Sequence, residues 1–205
     1  MPKYSIGADF GTLSCRVLLV DVETGNEIAT ASDNYRHAVI DETMVYSEKK
    51  LPPDYALQHP QDYLDSLETS MKKVLEESNI NPGDIIGFAI DFTACTVLPV
   101  YKDGTPLCFT EKYKENPHAY IKLWKHHAAQ KYATLINDTA EKMGETWLKR
   151  YGGKISSEWL FAESVAGFGR SSRNLRRGRL FYRGDRLGYL AIDGSSDAQF
   201  MHRGL

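Results

Sequence analysis

Five residues in one tight turn near the N-terminus are of types suited to holding a phosphate group. The segment GADFGTLSCRVLLVD places them between two short apolar runs, and a glycine-bearing break between such runs is typical of a β-hairpin. Gly11 lets the backbone approach a phosphate closely, while Thr12 and Ser14 supply hydroxyl and N–H donors for anionic oxygens. Asp9 is a candidate Mg2+ ligand, and Arg16 can steady the loop or a phosphate. An ordinary hairpin with a tight turn is the alternative interpretation.

The surrounding chain predicts the elements that must position this turn. The predicted strands are 4–10, 15–22, 27–37, 85–92 and 96–101, and the predicted helices are 59–78 and a long one from 116 to about 143. The nearly continuous apolar run at 85–92 is typical of a strand covered on both faces. Strands followed by a helix, twice over, indicate an α/β fold.

Five other polar or aromatic residues give weaker signals. Trp124 lies in the predicted long helix, where amphipathicity alone favours a core position. Lys125, His126 and His127 are adjacent in that helix, so their side chains point in different directions and cannot converge on one metal ion. A solvated helix face is therefore predicted for them. Asp91, at the end of a predicted strand, is assigned a structural or cleft-shaping role.

Bulk composition indicates an ordinary globular protein. Of the 205 residues, 42% are hydrophobic and the net charge is −2, so no excess of positive charge indicates nucleic-acid binding. The three cysteines lack metal-ligand spacing and are expected to be reduced thiols, which favours the cytoplasm. No export signal, membrane span or membrane partner is predicted.

The charge pattern changes near Phe161. Residues 1–161 contain 14 Lys, 3 Arg and 23 acidic residues, whereas residues 162–205 contain 8 Arg, no Lys and 4 acidic residues. This tail shows little periodicity beyond short pieces such as 187–192. Synonymous codons can be chosen for the tail so that the same DNA, read one base further on, has no stop codon. That second frame then encodes an acidic, amphipathic peptide. We therefore expect a frameshift near Phe161 and an aberrant, Arg- and Gly-rich tail; an RNA-binding tail is the alternative.

Three segments together resemble the ribulokinase branch of the FGGY carbohydrate kinase family. They are GADFGTLSCRVLLVD, GFAIDFTACTVLPVYKDGTPL and HAYIKLWKHHAAQ, and the resemblance covers residues 3–161. The first segment is shared broadly within the family and, more loosely, with actin-like and Hsp70-like ATPases. DFTACT with LWKHHAA favours the ribulokinase branch over xylulokinase, gluconokinase or glycerol kinase. The resemblance implies an α/β domain of the actin-like, ribonuclease-H-like type, incomplete at its C-terminus.

The activity implied by this resemblance is ATP-dependent phosphorylation of L-ribulose to L-ribulose 5-phosphate, a step of L-arabinose catabolism. The first phosphate loop would then consist of Asp9, Gly11, Thr12, Ser14 and Arg16, with Asp9 near a Mg2+ ion. Ala94 and Trp124 would line the sugar cleft. Ala94 is small enough to admit the ketose, and Trp124 offers its indole face and N–H.

The resemblance also implies functional parts that lie outside these residues. Complete members of the family are roughly two or three times this length by the usual domain scale and have two actin-like domains. Residues 1–161 are assigned to the N-terminal part of the first domain. The general base, the second phosphate loop and the adenosine-binding domain are expected elsewhere, so no catalytic residue is assigned and the chain alone is expected to be inactive.

Two alternatives and one question stay open at this point. The chain can derive from another FGGY sugar kinase, such as a xylulokinase, or it can be a non-catalytic binding fragment with a basic nucleic-acid-binding tail. Whether the parent enzyme is a homo-oligomer is left open.

Overall fold

A computed structural model describes residues 2–170 and 180–183, with side chains described from Pro2 to Gly167. The regular elements are, in chain order, β1 (Tyr4–Phe10), β2 (Ser14–Asp21), β3 (Glu27–Asn34), β4 (Leu57–Gln58), α1 (Pro60–Ser78), β5 (Ile85–Phe92), β6 (Val97–Val100), β7 (Ile121–Lys122), α2 (Gln130–Lys142), α3 (Leu160–Arg170) and β8 (Leu180–Arg183). Short 3-10 turns lie at 82–84, 107–109, 117–119 and 147–151.

The first sheet contains four strands in the order β3-β2-β1-β5. β1 and β2 form the predicted antiparallel hairpin, and β5 pairs in parallel with the other side of β1. Alternate side chains of the hairpin point into one buried core, which includes Ile6, Ala8, Phe10, Val17 and Leu19. Strand alternation therefore leaves the opposite face of the hairpin to carry its polar side chains.

Helix α1 connects β4 to the turn before β5 and packs against β2 and β3. The His59 Nδ1 caps the helix by accepting a hydrogen bond from the Gln61 backbone N–H at 3.2 Å, and Pro60 occupies the first turn. The helix ends at Asn79, which has a left-handed φ of +51°. α1 with its cap at His59 confirms the helix predicted over 59–78. The signals that mark its ends are local in the sequence.

The second sheet has the order β4-β7-β6-β8, with antiparallel pairing throughout. Every residue of β6 is buried, and the strand predicted at 96–101 is confirmed in a shorter form. A second apolar cluster beside this sheet includes Leu57, Leu107, Tyr113 and Tyr120. Within the described ranges, no helix combines the length and the apolar character that a membrane span requires.

The predicted long helix from 116 to about 143 is wrong in its first half. Asn116 does accept a capping hydrogen bond from the His118 N–H at 3.0 Å, but the turn that it caps is only the 3-10 turn at 117–119. Residues 120–123 are all buried, and β7 pairs with β4 there. Burial on every side suits a short interior strand better than an amphipathic helix. The helix therefore begins only at Gln130.

β5 is less covered than its apolar sequence predicts. In the described part of the chain it pairs only with β1. Ala89 and Asp91 are exposed, and Ile86 is 61% exposed. The prediction of a strand covered on both faces is therefore wrong for these residues.

The described structure continues past the predicted boundary at residue 161. α3 runs across this boundary, and β8 lies in the predicted tail. Ala162 and Ala166 of α3 pack in a small apolar cluster with Ala133 of α2. The piece 187–192 lies outside the described residues. The division of the chain at residue 161 stays a prediction.

Candidate functional site

The turn between β1 and β2 brings the five predicted phosphate-binding residues into one place. The Gly11 N–H donates a hydrogen bond to the Ser14 carbonyl oxygen at 2.9 Å, which closes the turn. The Leu13 carbonyl oxygen accepts a hydrogen bond from the Tyr35 N–H, also at 2.9 Å. Thr12 lies at the tip of the turn and is half-buried. Backbone hydrogen bonds thus fix the turn to its own strand and to the segment after β3.

Three charged side chains share the polar face of the first sheet. Asp9 lies opposite Arg16 of β2 and, on its other side, opposite Asp91 of β5. Residues in register on neighbouring strands point to the same face of a sheet, and all three side chains are exposed. Carboxylate oxygens are ligands that Mg2+ prefers, so the pair of aspartates fits a Mg2+ ion. The β1–β5 register thus places beside Asp9 a second carboxylate, for which the sequence predicts only a shaping role.

Trp124 reaches the same turn from a distant part of the chain. Its indole Nε1 donates a hydrogen bond to the Thr12 Oγ1 at 3.2 Å. The residue is 44% exposed, so the core position favoured by amphipathicity alone is wrong. The Lys125 Nζ lies 5.4 Å from the centre of the Trp124 ring, in a cation–π arrangement. One edge of Trp124 is therefore held at the turn while much of the ring stays open to solvent.

A turn after β7 presents Trp124. The Leu123 N–H donates a hydrogen bond to the Ala56 carbonyl oxygen at 3.1 Å. His126 is buried, and its Nδ1 accepts a hydrogen bond from the Ala56 N–H at 3.2 Å. The prediction of a solvated helix face is therefore wrong for His126, because this segment is a turn pinned beside β4.

A buried charge cluster formed by Lys122, His126 and Glu163 lies next to this turn. The Lys122 Nζ is 4.0 Å from one Glu163 carboxylate oxygen, and the His126 Nε2 is 3.8 Å from the other. Burial raises the pKa of Glu163 to about 7, and burial lowers the pKa of Lys122. Because all three side chains are shielded from solvent, we assign the cluster to holding the Trp124 turn in place.

The turn between β5 and β6 contains Ala94, the other predicted sugar-binding residue, which is exposed. The Thr93 N–H donates a hydrogen bond to the Phe10 carbonyl oxygen at 3.2 Å, so this turn lies beside the end of β1. The Thr96 hydroxyl donates to the Thr93 carbonyl oxygen at 2.7 Å and tightens the turn. Two loops with candidate ligand-binding residues thus leave the carboxyl ends of two parallel strands, a usual place for a ligand in α/β folds.

A second set of metal-ligand types, His37, His59 and Asp62, lies at the start of α1. The His37 Nδ1 is 2.7 Å from one Asp62 oxygen, and the His37 backbone N–H donates to the other at 2.9 Å. His59 caps α1 with Nδ1 and places Nε2 3.1 Å from the Tyr46 hydroxyl. Burial lowers the pKa of His59. Since these atoms already have hydrogen-bond partners, the cluster serves to stabilise the start of α1.

Curated relatives match most of the chain, although no family model matches it. The chain is 56% identical over 161 residues to a ribulokinase of Geobacillus thermodenitrificans. It is 53% identical over 161 residues to a ribulokinase of Halalkalibacterium halodurans. Each match covers 78% of this chain but only 28% and 29% of the respective relative. The chain thus spans less than a third of the length of these relatives.

Solved structures of sugar kinases share the fold. A xylulose kinase from Rhodospirillum rubrum matches with a TM-score of 0.67 at 13% identity, over 92% of this chain and 33% of that one. A Plasmodium falciparum glycerol kinase with ADP matches with a TM-score of 0.62 at 15% identity, over 92% and 34%. The predicted actin-like α/β fold is confirmed. By sequence the chain is homologous to part of these ribulokinases, and by fold it is similar to sugar kinases.

Proposed function

We propose that the chain forms the first phosphate loop and part of the sugar-binding surface of an enzyme that phosphorylates L-ribulose with ATP. The product is L-ribulose 5-phosphate, and the reaction belongs to L-arabinose catabolism. The observation that carries the proposal is the hydrogen bond from Trp124 to Thr12, because it joins the segment expected to bind sugar to the turn expected to bind phosphate. Relatives named ribulokinase support L-ribulose as the sugar.

The hairpin turn supplies hydrogen-bond donors to the nucleotide phosphates. The Trp124 N–H fills one acceptor position on the Thr12 oxygen, so the Thr12 hydroxyl hydrogen can donate to a phosphate oxygen. Ser14 adds a second hydroxyl at the start of β2. Arg16, exposed on the same face as Asp9, attracts negative charge. Phosphoryl transfer depends mainly on such positioning and charge stabilisation.

The paired carboxylates of Asp9 and Asp91 would hold Mg2+ at this face. The Asp91 carboxylate accepts a hydrogen bond from the Phe92 backbone N–H at 2.9 Å, which orients it. When bound, Mg2+ neutralises charge on the phosphate oxygens. We assign no general base to these residues. The family resemblance implies that the general base is an aspartate in a later segment.

Trp124 and Ala94 would form the sugar side of the site. The indole of Trp124 combines an open apolar ring with an N–H already fixed at Thr12, which suits stacking against the carbon chain of a ketose. Ala94 lies exposed in the turn beside the end of β1, where its small side chain leaves room for the substrate.

Binding measurements on the 205-residue chain test this proposal. Mg-ATP binding is followed by calorimetry, and L-ribulose and D-xylulose binding by tryptophan emission. We expect Mg-ATP to bind weakly, through its phosphates, because the adenosine-binding domain is expected elsewhere. L-ribulose should change the emission of the wild type but not of Trp124→Phe. Trp147→Phe, in a 3-10 turn, is the matched control. A response to D-xylulose alone would mean that D-xylulose, and not L-ribulose, is the sugar that binds. No response to any sugar would mean that Trp124 does not belong to the sugar site.

We also propose that residues 162–205 are translated from a shifted reading frame, and that the kinase domain continues in the other frame. The change from Lys-rich to Arg-rich composition near Phe161 supports this, as does the fact that the matches to the two ribulokinases above cover 78% of the chain. Sequencing the DNA from the codon for Leu160 onward tests it. We expect the frame one base further on to encode an acidic peptide without stops, and early stop codons in that frame would contradict the proposal.

We infer a cytoplasmic location, because Cys15 and Cys108 are buried free thiols. Burial raises the pKa of both Cys15 and Cys108 to about 12, so these two thiols stay protonated and unreactive. Cell fractionation should recover the protein with cytoplasmic markers.

A further inference from the structure

Thr12, at the tip of the hairpin turn, is held by two side chains that come from distant parts of the chain. The Trp124 indole N–H donates to its hydroxyl oxygen at 3.2 Å. The Gln58 side-chain amide Nε2 donates to its backbone carbonyl oxygen at 2.8 Å. One contact fixes the side chain of Thr12 and the other fixes its peptide group.

Gln58 is completely buried, and its other amide atom is also hydrogen-bonded. The Tyr63 hydroxyl donates to the Gln58 Oε1 at 2.7 Å. Because the Oε1 accepts from Tyr63, the Nε2 must point toward Thr12, so this single bond sets the orientation of the amide. The Gln58 amide thus accepts from one partner and donates to the other.

Tyr63 is itself locked in the aromatic core beneath the polar face. Its ring centre is 5.4 Å from that of Phe10 and 5.4 Å from that of Phe92, and these two rings stack at 4.3 Å. Phe10 and Phe92 follow Asp9 and Asp91 directly on β1 and β5. The core that fixes the two carboxylates therefore also fixes the Gln58 amide.

Gln58 and Trp124 belong to neighbouring parts of the second sheet. Gln58 ends β4 and lies in register with Ile121 of β7, and Trp124 lies two residues after β7. The second sheet and the turn after β7 thus both contact Thr12, each through one side chain. A shift of this sheet would move both contacts to Thr12 together.

We propose that Gln58 is a positioning residue for the phosphate loop and couples it to the sugar side of the site through Thr12. The Tyr63–Gln58 pair sets the Thr12 peptide, which aims the Thr12 hydroxyl at a nucleotide phosphate and keeps its oxygen available to Trp124. This inference rests on the proposed function for the role of the loop. The coupling itself is a property of the free chain.

The test measures amide hydrogen exchange and Mg-ATP affinity in the full 205-residue chain. Gln58→Leu removes both hydrogen bonds, and Tyr63→Phe removes only the hydroxyl that orients the amide. We expect the Gly11 and Tyr35 amides, which donate to the Ser14 and Leu13 carbonyl oxygens of the turn, to exchange at least tenfold faster in Gln58→Leu and a fewfold faster in Tyr63→Phe. Mg-ATP should bind about tenfold more weakly to Gln58→Leu, with the emission of Trp124 also changed.

Gln61→Leu is the matched control, since the side chain of this neighbouring glutamine donates to the exposed Asp65 carboxylate. The Val17 and Leu19 amides in β2 serve as internal references, because unchanged exchange there shows that a variant is folded. If Gln58→Leu fails this check, Tyr63→Phe decides the question alone. The proposal is overturned if a folded Gln58→Leu or Tyr63→Phe variant shows the same amide exchange rates at the hairpin turn as the wild type. Failure of the wild type to bind Mg-ATP would instead overturn the proposed function while the exchange result stands.

Discussion

The two halves of the candidate site are held in place by different physical means. The polar face of the hairpin rests on a core of apolar side chains, and strand register sets where its charges lie. In this chain the turn that carries Trp124 rests instead on the buried charge cluster of Lys122, His126 and Glu163, of which Glu163 belongs to the segment that we propose to be out of frame. Apolar packing tolerates small changes, whereas a buried charge depends strongly on its partner. The sugar half should therefore respond far more sharply to single polar substitutions than the phosphate half.

The largest effect is expected where the buried charge cluster is broken on one side. Lys122→Met keeps the length of the side chain but leaves the Glu163 carboxylate buried without its cation. We expect the free energy of unfolding to fall by about 3–5 kcal/mol, the usual result of removing one partner of a buried pair. Chemical denaturation at about pH 9 measures it, because at neutral pH the Glu163 carboxyl can take up a proton and lose its charge.

The double variant Lys122→Met/Glu163→Leu sharpens the same comparison. Replacing both charged groups with apolar ones removes the uncompensated charge, so stability should recover to within about 1–2 kcal/mol of the wild type. If the double variant is as unstable as the single one, packing and not charge holds the Trp124 turn.

A smaller effect is expected from pH. Because burial raises the pKa of Glu163 from 4.5 to about 7, the folded chain holds this proton more tightly than the unfolded chain does. Its contribution to stability is complete below pH 4.5 and is lost as the pH rises through about 7. The unfolding free energy of wild type should therefore decline relative to Glu163→Gln between pH 5 and 7.5. Parallel curves for the two proteins would show that this carboxyl does not titrate in that range.

The smallest change in stability is expected in the phosphate half. Asp9 is exposed on the hairpin face, so Asp9→Asn should change the free energy of unfolding by no more than about 0.5 kcal/mol. The same variant should weaken Mg2+-dependent nucleotide binding by roughly tenfold, because one carboxylate ligand is lost. Thermal melting and calorimetry with and without Mg2+ separate the two quantities. A large loss of stability would mean that the hairpin depends on its charges after all.

The hairpin and α1 could be predicted because their signals are local. Alternating apolar residues define β1 and β2, and His59, Pro60 and Asn79 mark the helix ends within a few residues of where they act. The turn with Asp9 and Arg16 follows directly from that hairpin. Its role in phosphate binding stays a prediction.

The surroundings of Thr12 could not be predicted, since its partners are distant in sequence. Trp124 is 112 residues away and Gln58 is 46 residues away, and no periodic pattern marks a single glutamine before a helix. The false long helix has a similar cause. The start signal at Asn116 is real, but tertiary pairing of β7 with β4 ends the helical path after one turn.

The parallel pairing of β1 with β5 has a consequence for how the chain is made. The hairpin can form as soon as β2 emerges, but the other edge of β1 must wait for a strand that begins at Ile85. At ribosomal rates of ~5–20 residues per second, that edge stays open for roughly 4–16 s. Pairing between strands so far apart is slow to form even in a finished chain. The nascent protein therefore passes through a stage with an exposed edge, in which protection by a chaperone would matter most.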